Sequence, residues 1–332
     1  MADAAIEVTL EAQGFPPNFR YDIIRPLVEG RVQIEGVQLK ASGPTEPAGL
    51  YEKPRFREGD FGLLDSNWGD LLPAIAAGWD MVLLPIFIKR KPAYNFLWVR
   101  TDRGINAPKD LEGKVFAAMG MTSAITTYTK GLLQDEHGVD LSKLHWLLNA
   151  PSPVELGALV GHIEYASGPF KSPVQRLLDG DVDASTGDIS SARLWNTLES
   201  SGQVKRLFPD YQVQNQRLSK EHEIFTPVHA IAMGGKLNRQ HPGLSQHLFD
   251  AFNQSMELAL NDALGDGTAY SLIIHMREKL LDQMREWGDV HRHGISANRK
   301  AIDSFLRYNY EQGVTRTQLS VAQVFAGGTL GT

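Results

Sequence analysis

Several polar residues stand where an apolar run gives way to a helical pattern. At such junctions a chain can offer an anion both side-chain donors and the N–H groups of a helix N-terminus. Arg20 and Arg25 bracket one of them, after the apolar segment 6–10. Asp65, Ser66 and Asn67 follow the segment 61–64 and precede a helix starting at Trp68, with Ser66 suited to cap that helix or to donate to an anion. Thr122 and Ser123 open a further helix, and Thr186, Asp188 and Ser190 form a similar set after 183–186. Each has a plainer reading beside it: capping for the hydroxyls and amides, and a surface ion pair with Glu29 or Asp22 for Arg20 and Arg25. His291 and His293 form a His-x-His pair beside Asp289. Two imidazoles alone are too few for a metal site, and none is expected. The chain has no cysteine, which removes thiolate nucleophiles and Cys-ligated metals. It also lacks a P-loop, a Gly-x-Gly-x-x-Gly turn, a Gly-x-Ser-x-Gly elbow and His-Glu-x-x-His. The pattern points to a small anionic ligand, with no cofactor called for.

The elements that must position these residues alternate between short apolar strands and amphipathic helices, the signature of an α/β fold. Strands are expected at 6–10, 37–40, 61–64, 81–87, 96–100, 115–118, 183–186 and 228–233. Helices are expected at 21–28, 68–77, 123–134, 188–194, 241–264 and 298–312, the last capped by Ser296. One internal echo stands out: Gly59-Asp60 leads to a strand and then Asp65-Ser66-Asn67, and Gly180-Asp181 leads to a strand and then Thr186-Gly187-Asp188. Two lobes built on related plans would produce it.

The bulk numbers agree with two lobes. A chain of 332 residues, 42% hydrophobic and 22% charged, has room for two ordinary domains. The formal charge of -6 gives no basic surplus for a nucleic-acid backbone. No apolar run approaches the ~20 residues a membrane helix needs. The opening MADAAIEVTLEAQ has no basic n-region and no apolar stretch, so the expectation is a cytoplasmic protein.

Five stretches carry a family likeness: 22–30 (DIIRPLVEG), 99–115 (VRTDRGINAPKDLEGKV), 131–139 (GLLQDEHGV), 206–211 (RLFPDY) and 297–313 (ANRKAIDSFLRYNYEQG). With them the sequence resembles the 4,5-dihydroxyphthalate decarboxylase family, soluble relatives of the substrate-binding proteins of ABC importers. The chain departs from the family pattern at Gly62-Leu63-Leu64-Asp65, Lys91 to Asn95, Met119 to Thr122 and His291 to Gly294. The resemblance implies a type II periplasmic-binding-protein-like fold, two α/β lobes joined by two crossing hinge segments. One lobe would comprise 1–99 and 228–332, the other the inserted 100–227. It further implies cofactor-independent decarboxylation of a hydroxylated aromatic acid held in the cleft between the lobes. His229, on the return hinge strand and matching a family histidine, would be either the general acid or a structural hinge histidine hydrogen-bonded across the cleft, with Asp65 counted beside it as catalytic. Tyr94, Asn95 and Trp98, flanking the outgoing hinge, could stack on or orient the ring, with a buried aromatic core as the competing account. The alternative function is a solute receptor of an ABC importer for an aromatic or other small anion. A homo-oligomer is compatible with either.

Overall fold

The computed structural model describes residues 5–12, 21–43, 53–186, 192–265 and 273–332. They fall into two compact units: Met1–Arg90 with His229–Ile302 and Ser320–Thr332, and Lys91–Val228 with Asp303–Leu319. Eleven strands are named in chain order among the described residues. They are β1 (Ile6–Glu11), β2 (Val37–Ser42), β3 (Leu63–Asn67), β4 (Met81–Arg90), β5 (Leu97–Arg100), β6 (Val115–Ala118), β7 (His145–Leu148), β8 (His162–Tyr165), β9 (Ala184–Thr186), β10 (Val204–Arg206) and β11 (Pro227–Gly234).

The first unit is built on a five-stranded sheet in the order β2-β1-β3-β11-β4. β1 is parallel to both β2 and β3, and β11 runs antiparallel to β3. All eight residues of β11 are buried, as its central place requires, and Ala230, Ala232 and Gly234 keep it slim. β4 reads as a nearly continuous apolar run, MVLLPIFI, yet lies at the sheet edge, where Pro85 leaves no ladder bond unmade. That edge is covered by later chain: Ala326 N–H donates to Leu83 O (2.9 Å) and Gly294 N–H to Pro85 O (2.8 Å). The core on one side joins Val8, Leu10, Leu63, Leu84, Ile86 and Ile231 to Leu244, Leu248 and Phe252 of the long helix Leu244–Leu264.

The second unit has a six-stranded sheet, β10-β5-β9-β6-β7-β8. β6 is parallel to β7 and β9, while β5 is antiparallel to β9 and to β10. The helix Ala124–His137 packs its buried Tyr128 against Phe305, with ring centroids 4.7 Å apart. Gly131 on that helix is obligatory in another sense, since a Cβ there would lie 2.4 Å from the Tyr308 ring.

Three local expectations change. The third strand is Leu63–Asn67, so Asp65, Ser66 and Asn67 lie on the strand and not in a loop beyond it. Pairing with β11 supplies the backbone partners that extend it. Residues 22–28 form a 3-10 turn, Asp22–Ile24, running into a single α-helical turn, Arg25–Val28, with Pro26 inside its first turn. Ser296 does not cap the late helix: a 3-10 turn, Ser296–Asn298, precedes Arg299–Glu311.

Candidate active site

Alternate residues of a strand point to opposite faces, so β3 presents Asp65 and Asn67 on one side and Ser66 on the other. β11 sets His229 opposite Asn67, Ala230 opposite Ser66 and Ile231 opposite Asp65. The imidazole thus shares a face with Asp65 and reaches diagonally to it, His229 Nδ1 lying 2.8 Å from Asp65 Oδ1. Both residues are buried, with 5% and 1% of their surface exposed. A buried carboxylate is costly unless a donor meets it, and the imidazole is placed to be that donor. Across β11, Lys89 near the end of β4 brings Nζ to 3.4 Å from His229 Nε2. Three neighbouring strands therefore align a carboxylate, an imidazole and an amine in one row. Lys89 is half-buried and is the member that solvent reaches most readily.

Asn67 caps the helix Trp68–Ala76: its Oδ1 accepts from Gly69 N–H (3.3 Å) and its Nδ2 donates to Asp70 Oδ2 (2.6 Å). The cap is thus Asn67, not Ser66, which is buried with its side chain on the opposite face of β3. Arg25 is exposed, with Nε 3.9 Å from Glu29 Oε1. Arg20 and Asp188 lie outside the described residues.

In the second unit, Tyr94 is 3% exposed, its hydroxyl 3.3 Å from His137 Nε2 and its ring edge-on to Phe208 at 4.7 Å. Burial pushes its phenol well above the ordinary tyrosine range. Asn95 Oδ1 accepts from Asn215 Nδ2 (2.7 Å), and Asn215 Oδ1 accepts from Tyr94 N–H (3.1 Å). Trp98 stacks under the Arg206 guanidinium at 4.4 Å, a cation shared with Trp195 and Tyr211. These side chains are engaged inside the second unit. Thr122 is buried at 7% exposure, and Ser123 precedes the helix Ala124–His137 without a side-chain capping bond. Thr186, wholly buried at the end of β9, has its hydroxyl 3.4 Å from that of Thr129.

The His-x-His pair is divided. His293 is buried, and its Nδ1 accepts from Phe87 N–H (3.2 Å), so it helps to cover the β4 edge. Burial, with Arg90 and His291 nearby, holds its imidazole down to about 3, and it stays neutral at physiological pH. Two charged groups of the first unit lie outside the residues that the sequence pattern marks. Lys89 ends an apolar strand as the first of three successive cations, Lys89-Arg90-Lys91, and that abrupt change is a usable signal. Arg55 Nη2 donates to the buried Glu11 Oε2 (2.7 Å) at the carboxyl end of β1, a pairing no local pattern announces.

No family model matches the chain. It is 27% identical over 325 residues to a 4,5-dihydroxyphthalate decarboxylase of Comamonas testosteroni, covering 93% of this chain and 95% of that one. A 4,5-dihydroxyphthalate decarboxylase of Pseudomonas putida is 28% identical over 134 residues, 38% of this chain and 49% of the relative. Among solved structures, the alkanesulfonate-binding protein SsuA of Xanthomonas axonopodis pv. citri, bound to MOPS, matches with a TM-score of 0.56 at 16% identity, covering 98% of this chain and 99% of that one. The aliphatic sulphonate-binding protein SsuA of Escherichia coli matches with a TM-score of 0.53 at 12% identity, covering 99% and 100%. At such identities these structures speak for the fold alone, which is that of the periplasmic binding proteins.

Proposed function

We propose that this chain is a carboxy-lyase that removes CO2 from a hydroxylated aromatic acid, 4,5-dihydroxyphthalate or a close relative, without a cofactor. The likeness to the Comamonas testosteroni decarboxylase along 93% of the chain supports the reaction class. The observation that carries the reading is the buried Asp65–His229 pair with Lys89 against its far nitrogen, a proton-handling row on the fold of a small-molecule binder. On this reading the protein works in the cytoplasm on a free small acid, with Arg20 and Arg25 as proposed carboxylate contacts.

The ring itself takes the electrons. A proton from the row adds to the ring carbon that bears the carboxylate, and a ring π pair forms the new C–H bond. A hydroxyl para to that carbon accepts the resulting positive charge as a protonated dienone. The C–C bond to the carboxylate then breaks, its electron pair returns to the ring, and CO2 leaves with aromaticity restored. The protein supplies one proton per turnover and recovers it from solvent.

The test is CO2 release from a panel of hydroxylated benzoates and phthalates with nothing else added. Turnover is expected where a hydroxyl stands para to a carboxylate, and none with unsubstituted phthalate. His229→Ala is expected to lower kcat by about 10²–10⁴-fold while retaining ligand affinity. Tight binding across the panel with no CO2 from the wild type would replace the enzyme with a receptor.

A further inference from the structure

We infer that Lys130 is a carbamate-forming site, its buried amine adding CO2 inside the second unit. The inference goes beyond the proposed reaction and does not depend on it; that reaction would be one source of the CO2.

Lys130 and Thr126 stand one turn apart on the helix Ala124–His137, so their side chains share a face. Trp146, on β7, meets Lys130 with its ring centre 5.5 Å from Nζ. Lys130, Thr126 and Trp146 are all buried, at 1%, 0% and 1% exposure. What the three have in common is a hydrogen to donate. Thr126 Oγ1 and Trp146 Nε1 have no hydrogen-bond partner among the described residues. Lys130 Nζ meets no oxygen there either, only Met121 Sδ at 3.9 Å. Buried donors are costly unless an acceptor meets them, and a thioether is a weak one. A carbamate reverses the imbalance. It turns the amine into a pair of anionic acceptor oxygens in the company of an indole N–H and a hydroxyl.

Burial also supplies the nucleophile. It pushes the amine down to about 7, so roughly three-quarters of it is neutral near pH 7.5, against about 0.1% of an ordinary lysine. The same burial selects the reagent, since a small uncharged molecule enters a packed interior and an ion does not. In the step, the amine lone pair attacks the carbon of CO2, an N–C bond forms, and a C–O π pair moves onto oxygen. One proton leaves the nitrogen for solvent, and an N-carboxylated lysine with a single negative charge remains. Met121, unbranched and adaptable, gives way to the new oxygens.

The test uses the whole chain carrying 15N at its lysine side chains, in 13C-bicarbonate near pH 7.5 and in CO2-free buffer. The wild type is expected to show a carbamate 13C signal split by a lysine nitrogen. An α-amine titrates near 8 and also forms a carbamate, but its signal carries no such splitting. Lys130→Met removes a buried charge and keeps the bulk, so it is expected to fold, to lose the split signal and to retain the other. Trp146→Phe removes the N–H and keeps a ring, and Thr126→Val removes the hydroxyl and keeps the shape. Each is expected to raise the bicarbonate needed for half-conversion about tenfold. Because the folded chain alone offers this amine, bicarbonate should also raise the unfolding temperature of the wild type and not that of Lys130→Met. A wild type with no split signal at saturating bicarbonate would overturn the inference. So would a split signal that survives Lys130→Met, or one that both donor variants leave unchanged.

Discussion

Lys130 shows how far a single side chain can depart from its usual place. It is 1% exposed within the helix Ala124–His137, its amine 3.9 Å from Met121 Sδ and 5.5 Å from the centre of the Trp146 ring. Burial pushes it down to about 7 from an ordinary 10.5. Between those values the unfolded chain holds a proton that the folded chain has released. Stability therefore rises with pH across that window, and the same increment is lost as pH falls from 10.5 to 7. The full burial cost, on the order of 5 kcal/mol, is felt below the window. Lys130→Met is expected to raise the unfolding temperature by several degrees at pH 6, with a gain that shrinks towards pH 10, read by thermal unfolding at several pH values. In the sequence Lys130 passes for a surface lysine, since nothing in Thr129-Lys130-Gly131 says which side of the helix is covered. His229 and Asp65 were legible as candidates. Their contact was not, because a diagonal reach between strands depends on register, and register is set by residues far apart in the chain.

At the scale of elements, strands with an apolar run were the easiest to read, and their ends the hardest. The strand around residue 63 looks finished at Leu64 because Asp65-Ser66-Asn67 resembles a polar loop, yet β11 extends it to Asn67. The echo between the two Gly-Asp turns has a structural counterpart. β3 and β9 each lie between a parallel strand, β1 or β6, and an antiparallel one, β11 or β5. Short elements such as β7, β8 and β10 escaped notice because three or four residues carry too little periodicity. Two of the stretches that carry the family likeness meet in packing. Tyr308 donates to Asp135 Oδ2 (2.8 Å), Arg307 pairs with the same carboxylate, and the Tyr308 ring covers Gly131. Gly131→Ala would ordinarily favour a helix, but its Cβ would fall 2.4 Å from that ring. The substitution is expected to destabilise by about 1–3 kcal/mol, measured by urea unfolding.

For the whole molecule, composition and alternating elements made the α/β class and the two-part plan legible. Which body each late helix joins was not, since an amphipathic face does not say what covers it. Asp303–Leu319 groups with Lys91–Val228. There it supplies Phe305 to Tyr128 at 4.7 Å and Gln312 Nε2 to Thr127 O at 2.9 Å. A fragment of residues 91–228 is therefore expected to show little near-UV circular dichroism, and one with 303–319 appended through a flexible linker to recover it. A fragment that is fully ordered without the appended segment would show those contacts to be dispensable. Among the described residues, no helix is long and apolar enough to cross a membrane.

β11, an inner strand of the first sheet, is also the last of its five to be synthesised. Asp65 leaves the ribosome 164 residues before His229, and Lys89 leaves it 140 residues before. Until β11 arrives, β3 and β4 have no strand between them, and two bare edges stand open to stray pairing in the nascent chain. Translation thus keeps the imidazole from its neighbours until about two-thirds of the message has been read, and the early chain needs shelter long before it can do chemistry.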